Sequence, residues 1–362
     1  MFRKLTVGFM VLVLLLIAAG CGGSKETTAG GDKDEAVIAF VAMTTTSPHA
    51  LVNQKSNIIA EQLTTLGKDV RYISTRSLDN VYPLLDKGEP DFFYLPHSAF
   101  TTYITETSKF GGSNDYAIIA GSLNINDVQL VVRPEIESLK DLDGKKVGIA
   151  NLRYSDDFQL NKVLNTIGLA SSSVGGTVEV VWDDIVGKTL ENYSTGNYSA
   201  VCIFNSDNVD SAVKKVPGSK VYSLNPDGLF SEIQPRVWLI AKKEVIKNDP
   251  ELVKAILKAH VLSTDKAESM FAELPALNQE VHMQYFKDKG VDLSSQNKVE
   301  KYEERWKTAG ITYDPNMSYI NGLWDYMDKK GVVKGKTLED FVRIEFLNEV
   351  LKEMGKPPVA DK

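Results

Sequence analysis

Four hydroxyl residues stand in a row in MTTTSPH (43–49), between an apolar run and a proline. They are Thr44, Thr45, Thr46 and Ser47. A hydroxyl both donates and accepts, so such a row can hold a small polar ligand. Ser47 suits a helix N-cap and Pro48 the first helical position, which leaves the threonines without a structural task. Three other stretches join aromatic rings to polar groups: Tyr94, His97 and Ser98 in FYLPHSAF; Arg153, Tyr154 and Ser155 in NLRYSDD; Phe204 and Asn205 in CIFNSD. Trp182 is a weaker candidate for the same wall. Arg153 is the prominent cation of the set. Aromatic walls with a few placed polar groups suit recognition of a small organic molecule.

Residue patterns for bond-making chemistry are missing. The chain has no G-x-S-x-G, no phosphate-binding G-x-x-x-x-G-K-[ST] and no H-E-x-x-H. His49, His97, His260 and His282 lack metal-ligand spacing. The pairs Asp156-Asp157 and Asp183-Asp184 fall at predicted helix starts, where capping accounts for them. Arg153 could equally pair with Asp156 or Asp157. No catalytic residue, metal or cofactor is expected. A net charge of −7 with no basic patch gives no reason to expect nucleic acid.

The elements that must position these groups repeat. Continuous apolar runs predict strands at 36–43, 70–74 and 91–95, buried on both faces, with helices between them. One helix is expected from Pro48 to about Leu66, stopped by Gly67. In NVYPLLDKG, Pro83 is tolerable only in a first helical turn. A second set of strands follows at 145–151, 178–182 and 199–204. Strand–helix alternation implies parallel sheets covered by helices, here in two α/β lobes. In parallel sheets ligands bind outside the carboxyl ends of the strands, and the candidate residues all fall there. VQLVV and PRVWLIAKK flank the second set and read as paired crossovers forming a hinge. The expected division is 36–125 with 241–362 for lobe 1, and 126–240 for lobe 2 with its hinge strands. The C-terminal helices would pack on lobe 1, with Asp249 and Pro250 starting the first. Cys202, inside SAVCIF, reads as a small buried apolar residue.

The N-terminus has a different character. Residues 1–20 carry Arg3 and Lys4, an apolar run and small residues before Cys21, the pattern of a secretory signal peptide. Ending in Ala-Gly-Cys, the segment resembles a bacterial lipoprotein signal, with Ala18 where a larger aliphatic residue is usual. That resemblance implies lipidation of Cys21 and an extracytoplasmic, membrane-anchored body. Losing Arg3 and Lys4 takes the formal charge from −7 to −9. Residues 21–35 contain no large apolar group and read as a tether.

ESLKDLDGKKVGIAN, LLDKGEPDFFYLP, LENYSTGNYSAVCIFN and NDPELVKAILKAH resemble, in that order, substrate-binding proteins of ABC importers. The closest group is the nitrate, sulfonate and taurine type, which includes carriers of thiamine-pyrimidine precursors. The resemblance implies a type II periplasmic-binding-protein-like fold that closes on a ligand without chemistry, then docks on a permease. A monomer is expected. The family's pocket loops map onto Thr44–Ser47, Tyr94–Ser98, Asn151–Ser155 and Phe204–Ser206. With Arg153 alone as pocket cation, nitrate is disfavoured; a neutral or weakly anionic organic ligand with a flat apolar part, such as a heteroaromatic, fits better. The competing readings are an enzyme of the same fold and a sensor or interaction protein.

Overall fold

The computed structural model describes residues 35–41, 47–75, 78–106, 115–125, 128–150, 153–183, 185–204, 206–223, 234–288, 290, 303, 306–307 and 309–360. The signal segment, Cys21 and most of the tether lie outside them.

The chain opens with β1 (Glu35–Val41), α1 (Pro48–Ser56), α2 (Ile58–Thr64), β2 (Asp69–Thr75), α3 (Leu78–Asp86), β3 (Phe92–Pro96), α4 (His97–Thr105) and β4 (Tyr116–Ile125). It continues through β5 (Val128–Val132), β6 (Lys146–Ala150), α5 (Arg153–Thr166), β7 (Glu179–Asp183), α6 (Val186–Ser194), β8 (Ala200–Phe204), α7 (Ser206–Lys215) and β9 (Lys220–Ser223). It ends with β10 (Pro235–Lys242), α8 (Lys243–Asn248), α9 (Pro250–Ser269), α10 (Leu274–Asp288), β11 (Ala309–Ile311), α11 (Met317–Lys329) and α12 (Glu345–Glu353).

These strands form two sheets, ordered β11-β4-β10-β3-β1-β2 and β7-β6-β8-β5-β9. β1 pairs in parallel with β2 and β3, and β6 with β7 and β8. Every residue of β3 is buried, as its unbroken apolar run requires of a strand covered on both faces. β2 lies at the sheet edge and is exposed or half-buried along most of its length, with Thr75 buried. Two crossovers join the sheets: β4 to β5 through residues 126–127, and β9 to β10 through residues 224–234. Each joins the carboxyl edge of one parallel set to that of the other, since Val128 pairs with Phe204 and Val237 with Pro96. A two-residue connection leaves the strand ends little reach. The two carboxyl edges therefore face one another. The C-terminal helices cover the first sheet: α9 packs on α1, α2 and α12. Asp249 caps α9 by accepting from the Leu252 amide at 3.1 Å, with Pro250 next.

β10 lies between β3 and β4 in the first sheet. Residues 235–240 therefore belong to the first lobe, not to the second as their sequence position suggested. A buried apolar run does not reveal which sheet it completes. The long helix expected from Pro48 is two helices, broken at Asn57 with φ 54°. Gly67, with φ +67°, ends the second as expected. α3 begins at Leu78, which places Pro83 inside the helix.

A polar network sits inside the first lobe. His260 Nε2 donates to the Gly121 carbonyl at 2.7 Å, so its Nδ1 accepts from the Tyr94 hydroxyl at 3.2 Å. The Thr264 hydroxyl donates to the His260 carbonyl at 3.1 Å and accepts from His49 Nε2 at 2.8 Å. His49 Nδ1 then accepts from Ser122 at 3.0 Å. The two imidazoles stack at 3.9 Å between centroids, and both are fully buried. Burial pushes the His260 pKa down to about 4. Burial and the neighbouring imidazole hold His49 well below its usual value. Tyr94 is thus engaged in the core rather than turned to the facing edges.

Candidate functional site at the facing sheet edges

The carboxyl edges bring together polar groups that the protein buries without partners. From the first lobe these are Ser47 Oγ, Thr75 Oγ1, His97 Nε2, Ser98 Oγ and Gln234 Oε1. From the second they are Ser155 Oγ and Trp182 Nε1. Their residues sit where strands end or begin: Thr75 closes β2, His97 and Ser98 follow β3, Gln234 precedes β10 and Trp182 is the penultimate residue of β7. Burying a hydroxyl or amide without a hydrogen bond costs about 1–3 kcal/mol each. Carrying several at one place is a cost that a bound polar molecule offsets.

His97 has a defined protonation. Its Nδ1 lies 3.2 Å from the Arg236 carbonyl, which can only accept. Burial, then the Arg236 charge, push its pKa down to about 3, against the smaller upward effect of that hydrogen bond. Trp238 packs edge-on against the imidazole at 5.9 Å, and Tyr319 tilts over it at 6.1 Å. Arg236 reaches between the lobes, its guanidinium 5.3 Å from the Phe204 ring centroid. Sequence reasoning missed Arg236 because its place beside His97 depends on the antiparallel register of β10 against β3.

A second set of contacts holds α5 of the second lobe against the first. Phe158 packs edge-on against Tyr319 at 5.4 Å and tilted against Tyr326 at 5.6 Å. Gln159 Nε2 donates to the Tyr319 hydroxyl at 3.3 Å. Gly322 on α11 makes room for this approach: a Cβ there would stand 3.1 Å from Phe158 Cζ. Lys330, at the end of α11, crosses to Asp157 in a buried ion pair and donates to Ser173 Oγ at 2.9 Å. Its ammonium lies 4.6 Å from the Trp182 ring centroid, 5.4 Å from Tyr326 and 6.0 Å from Tyr154. Trp182 meets Tyr154 edge-on at 5.1 Å. Burial raises the Asp157 pKa, and the Lys330 charge opposes that rise.

Ser47, His97, Ser98, Tyr154, Ser155 and Phe204 are thus brought to these edges. Tyr94 is not, because its strand position turns it to the histidine network. Ser47 begins α1 without a side-chain cap bond, leaving its hydroxyl free for the site. Asp156, Asp157 and Asp183 are not N-caps, and Asp184 lies outside the described residues. Asp156 and Asp157 are fully buried inside α5, while Asp183 accepts from Tyr198 at 3.0 Å. Lys330 takes Asp157, the partner weighed for Arg153. Arg153 begins α5, but its side chain, Asn205 and Thr44–Thr46 lie outside the described residues. Cys202 is 1% exposed and burial pushes its thiol pKa up, which makes it an inert apolar filler.

A wide groove of about 1020 Å³ runs between α11 and α12, bordered by Glu345, Glu349, Lys352 and Lys356. Among the described residues no His, Cys, Asp and Glu cluster could hold a metal ion, and no helix is long and apolar enough to cross a membrane.

Residues 117–269 match the protein family described as NMT1/THI5 like. No curated protein sequence matches the chain. Solved structures share the whole architecture at low identity. A protein assigned as the periplasmic sulfonate-binding protein SsuA of Methylobacillus flagellatus KT is 15% identical, with TM-score 0.60 over 91% of this chain and 99% of that one. The periplasmic nitrate-binding protein NrtA of Synechocystis PCC 6803 is 14% identical, with TM-score 0.58 over 90% of each chain. The periplasmic aliphatic sulphonate binding protein SsuA of Escherichia coli is 11% identical, with TM-score 0.57 over 86% of this chain and 92% of that one. The fold is that of the periplasmic binding proteins, and the 117–269 segment is NMT1/THI5-like, in line with the resemblance read from the sequence.

Proposed function

We propose that this chain is an extracytoplasmic solute-binding lipoprotein, anchored through Cys21, that captures a small organic ligand between its lobes. It delivers that ligand to the permease of an ABC importer and performs no chemistry on it. One observation supports the reading: both sheets carry buried, unpartnered polar groups at or beside their strand ends, Ser47, Thr75, His97 and Ser98 in the first lobe and Ser155 and Trp182 in the second. A ligand that contacts both lobes favours the closed arrangement, because only differential affinity shifts a population. The rings of Tyr154, Trp182 and Phe204 supply flat apolar area for an organic ligand. Arg236 adds a cation beside His97, so an anionic group on that ligand gains support. The protein acts as a monomer.

Native mass spectrometry of the purified chain tests this. A copurified small molecule is expected; added back after removal, it should raise the melting temperature and be recovered unchanged. Its chemical conversion by the protein would replace the carrier reading with an enzymatic one.

A further inference from the structure

Three histidines lie at the centre of the first lobe, and two of them use both ring nitrogens. His49 and His260 each donate through Nε2 and accept through Nδ1 within the network described above. His97 is different. Its Nδ1 hydrogen is committed to the Arg236 carbonyl, and its Nε2 is fully buried with no partner. Burial, and then the adjacent guanidinium of Arg236, disfavour a second proton, so Nε2 presents a bare lone pair.

We infer that His97 Nε2 is the ligand's hydrogen-bond acceptor in the first lobe, which restricts ligands to molecules carrying an N–H or O–H group. This rests on the carrier reading and narrows the ligand's chemistry. The neighbouring hydroxyls of Ser47, Thr75, Ser98 and Ser155 do not discriminate, because each can donate or accept. His97, held by its Nδ1 bond, and the Trp182 indole do, while the Gln234 amide can present either end. His97 Nε2 accepts on the first lobe, and the indole N–H donates on the second. A complementary ligand turns a donor toward the first lobe and an acceptor toward the second. Amino- or hydroxyl-bearing acids and heteroaromatics meet this requirement. Nitrate and simple alkanesulfonates, which are acceptors only, do not. A site built around an unpaired polar atom rejects analogues that leave it unpaired far better than an apolar site rejects a missing methylene.

Two measurements decide the matter. The first is ¹⁵N NMR of histidine-labelled full-length protein at pH 7, with His97→Gln to assign the ring. A neutral His97 with hydrogen on Nδ1 alone is expected, against Nε2–H forms for His49 and His260. A His97 ring carrying hydrogen on Nε2, or charged at pH 6, would overturn the assignment. The second compares probe pairs by calorimetry: ethanesulfonate with taurine, benzoate with 4-aminobenzoate, and pyrimidine with 2-aminopyrimidine. In any pair that binds, the donor-bearing member should be about tenfold tighter or more. That preference should vanish in His97→Phe and survive in His97→Gln, whose amide oxygen still accepts. Equal affinities within a pair, or a copurified ligand with no N–H or O–H, would overturn the inference while leaving the carrier reading intact. A bare Nε2 in a protein that chemically converts its ligand would sink the carrier reading instead.

Discussion

Acidification should unfold this protein through the histidines it buries neutral. A histidine whose folded pKa lies below its unfolded value of 6.5 binds its proton only after unfolding. Its contribution is complete above pH 6.5 and is lost progressively as pH falls toward the folded pKa. For His260 that window runs from 6.5 down to about 4. About 2.5 pH units at about 1.4 kcal/mol each gives a loss of about 3.5 kcal/mol from this residue. His97 continues the trend to about 3, and His49 adds to it in the same direction. Between pH 6 and 5 three such groups give a slope of up to about 4 kcal/mol per unit. Typical total stability is about 5–15 kcal/mol, so the effect is large. The assay is urea unfolding at half-unit pH steps for wild type and His260→Gln. The variant starts lower, since Tyr94 and the Gly121 carbonyl lose their partner. Its slope should nevertheless be shallower by about 1.4 kcal/mol per pH unit. Parallel pH dependences for the two proteins would refute the reasoning, because the proton would then be taken up elsewhere.

The contact between the lobes gives two further expectations. Gly322→Leu should drive α5 off α11, since even a Cβ stands 3.1 Å from Phe158 Cζ. A cost of about 1–3 kcal/mol in urea unfolding and a larger radius of gyration by X-ray scattering are expected, and unchanged scattering would count against the contact. Lys330→Ala should cost about 3–5 kcal/mol at pH 8, because it leaves the Asp157 carboxylate buried without its cation. The loss should be smaller at pH 5, where a carboxyl whose pKa is already raised takes up a proton instead.

Much of the architecture was legible because it rests on local rules. Unbroken apolar runs marked β1, β3 and β8, Asp249-Pro250 marked the start of α9, and the repeated element order implied two sheets. The positions of His97, Ser98, Tyr154 and Ser155 just after strand ends were legible for the same reason. What escaped depends on register and on distant pairing. Arg236 and Gln234 reach the site because β10 runs antiparallel between β3 and β4. Lys330 meets Asp157 across 173 positions, with no local signal at either residue. Tyr94 was misplaced because a strand's two faces cannot be told apart when both are buried. Asn57 adopts a left-handed conformation that a helix period does not reveal.

The position of β10 has a consequence for biosynthesis. It is the strand that joins β3 to β4, yet the ribosome makes it more than one hundred residues after either. Until residue 242 is made, the first sheet exists as two unjoined pieces, β2-β1-β3 and β4, with the entire second lobe synthesised between β4 and the strand that joins them. The second lobe, continuous from Val128 to Ser223, has no such wait. Vectorial synthesis thus completes the inserted lobe first and keeps the lobe that encloses it open until the last third of the chain arrives.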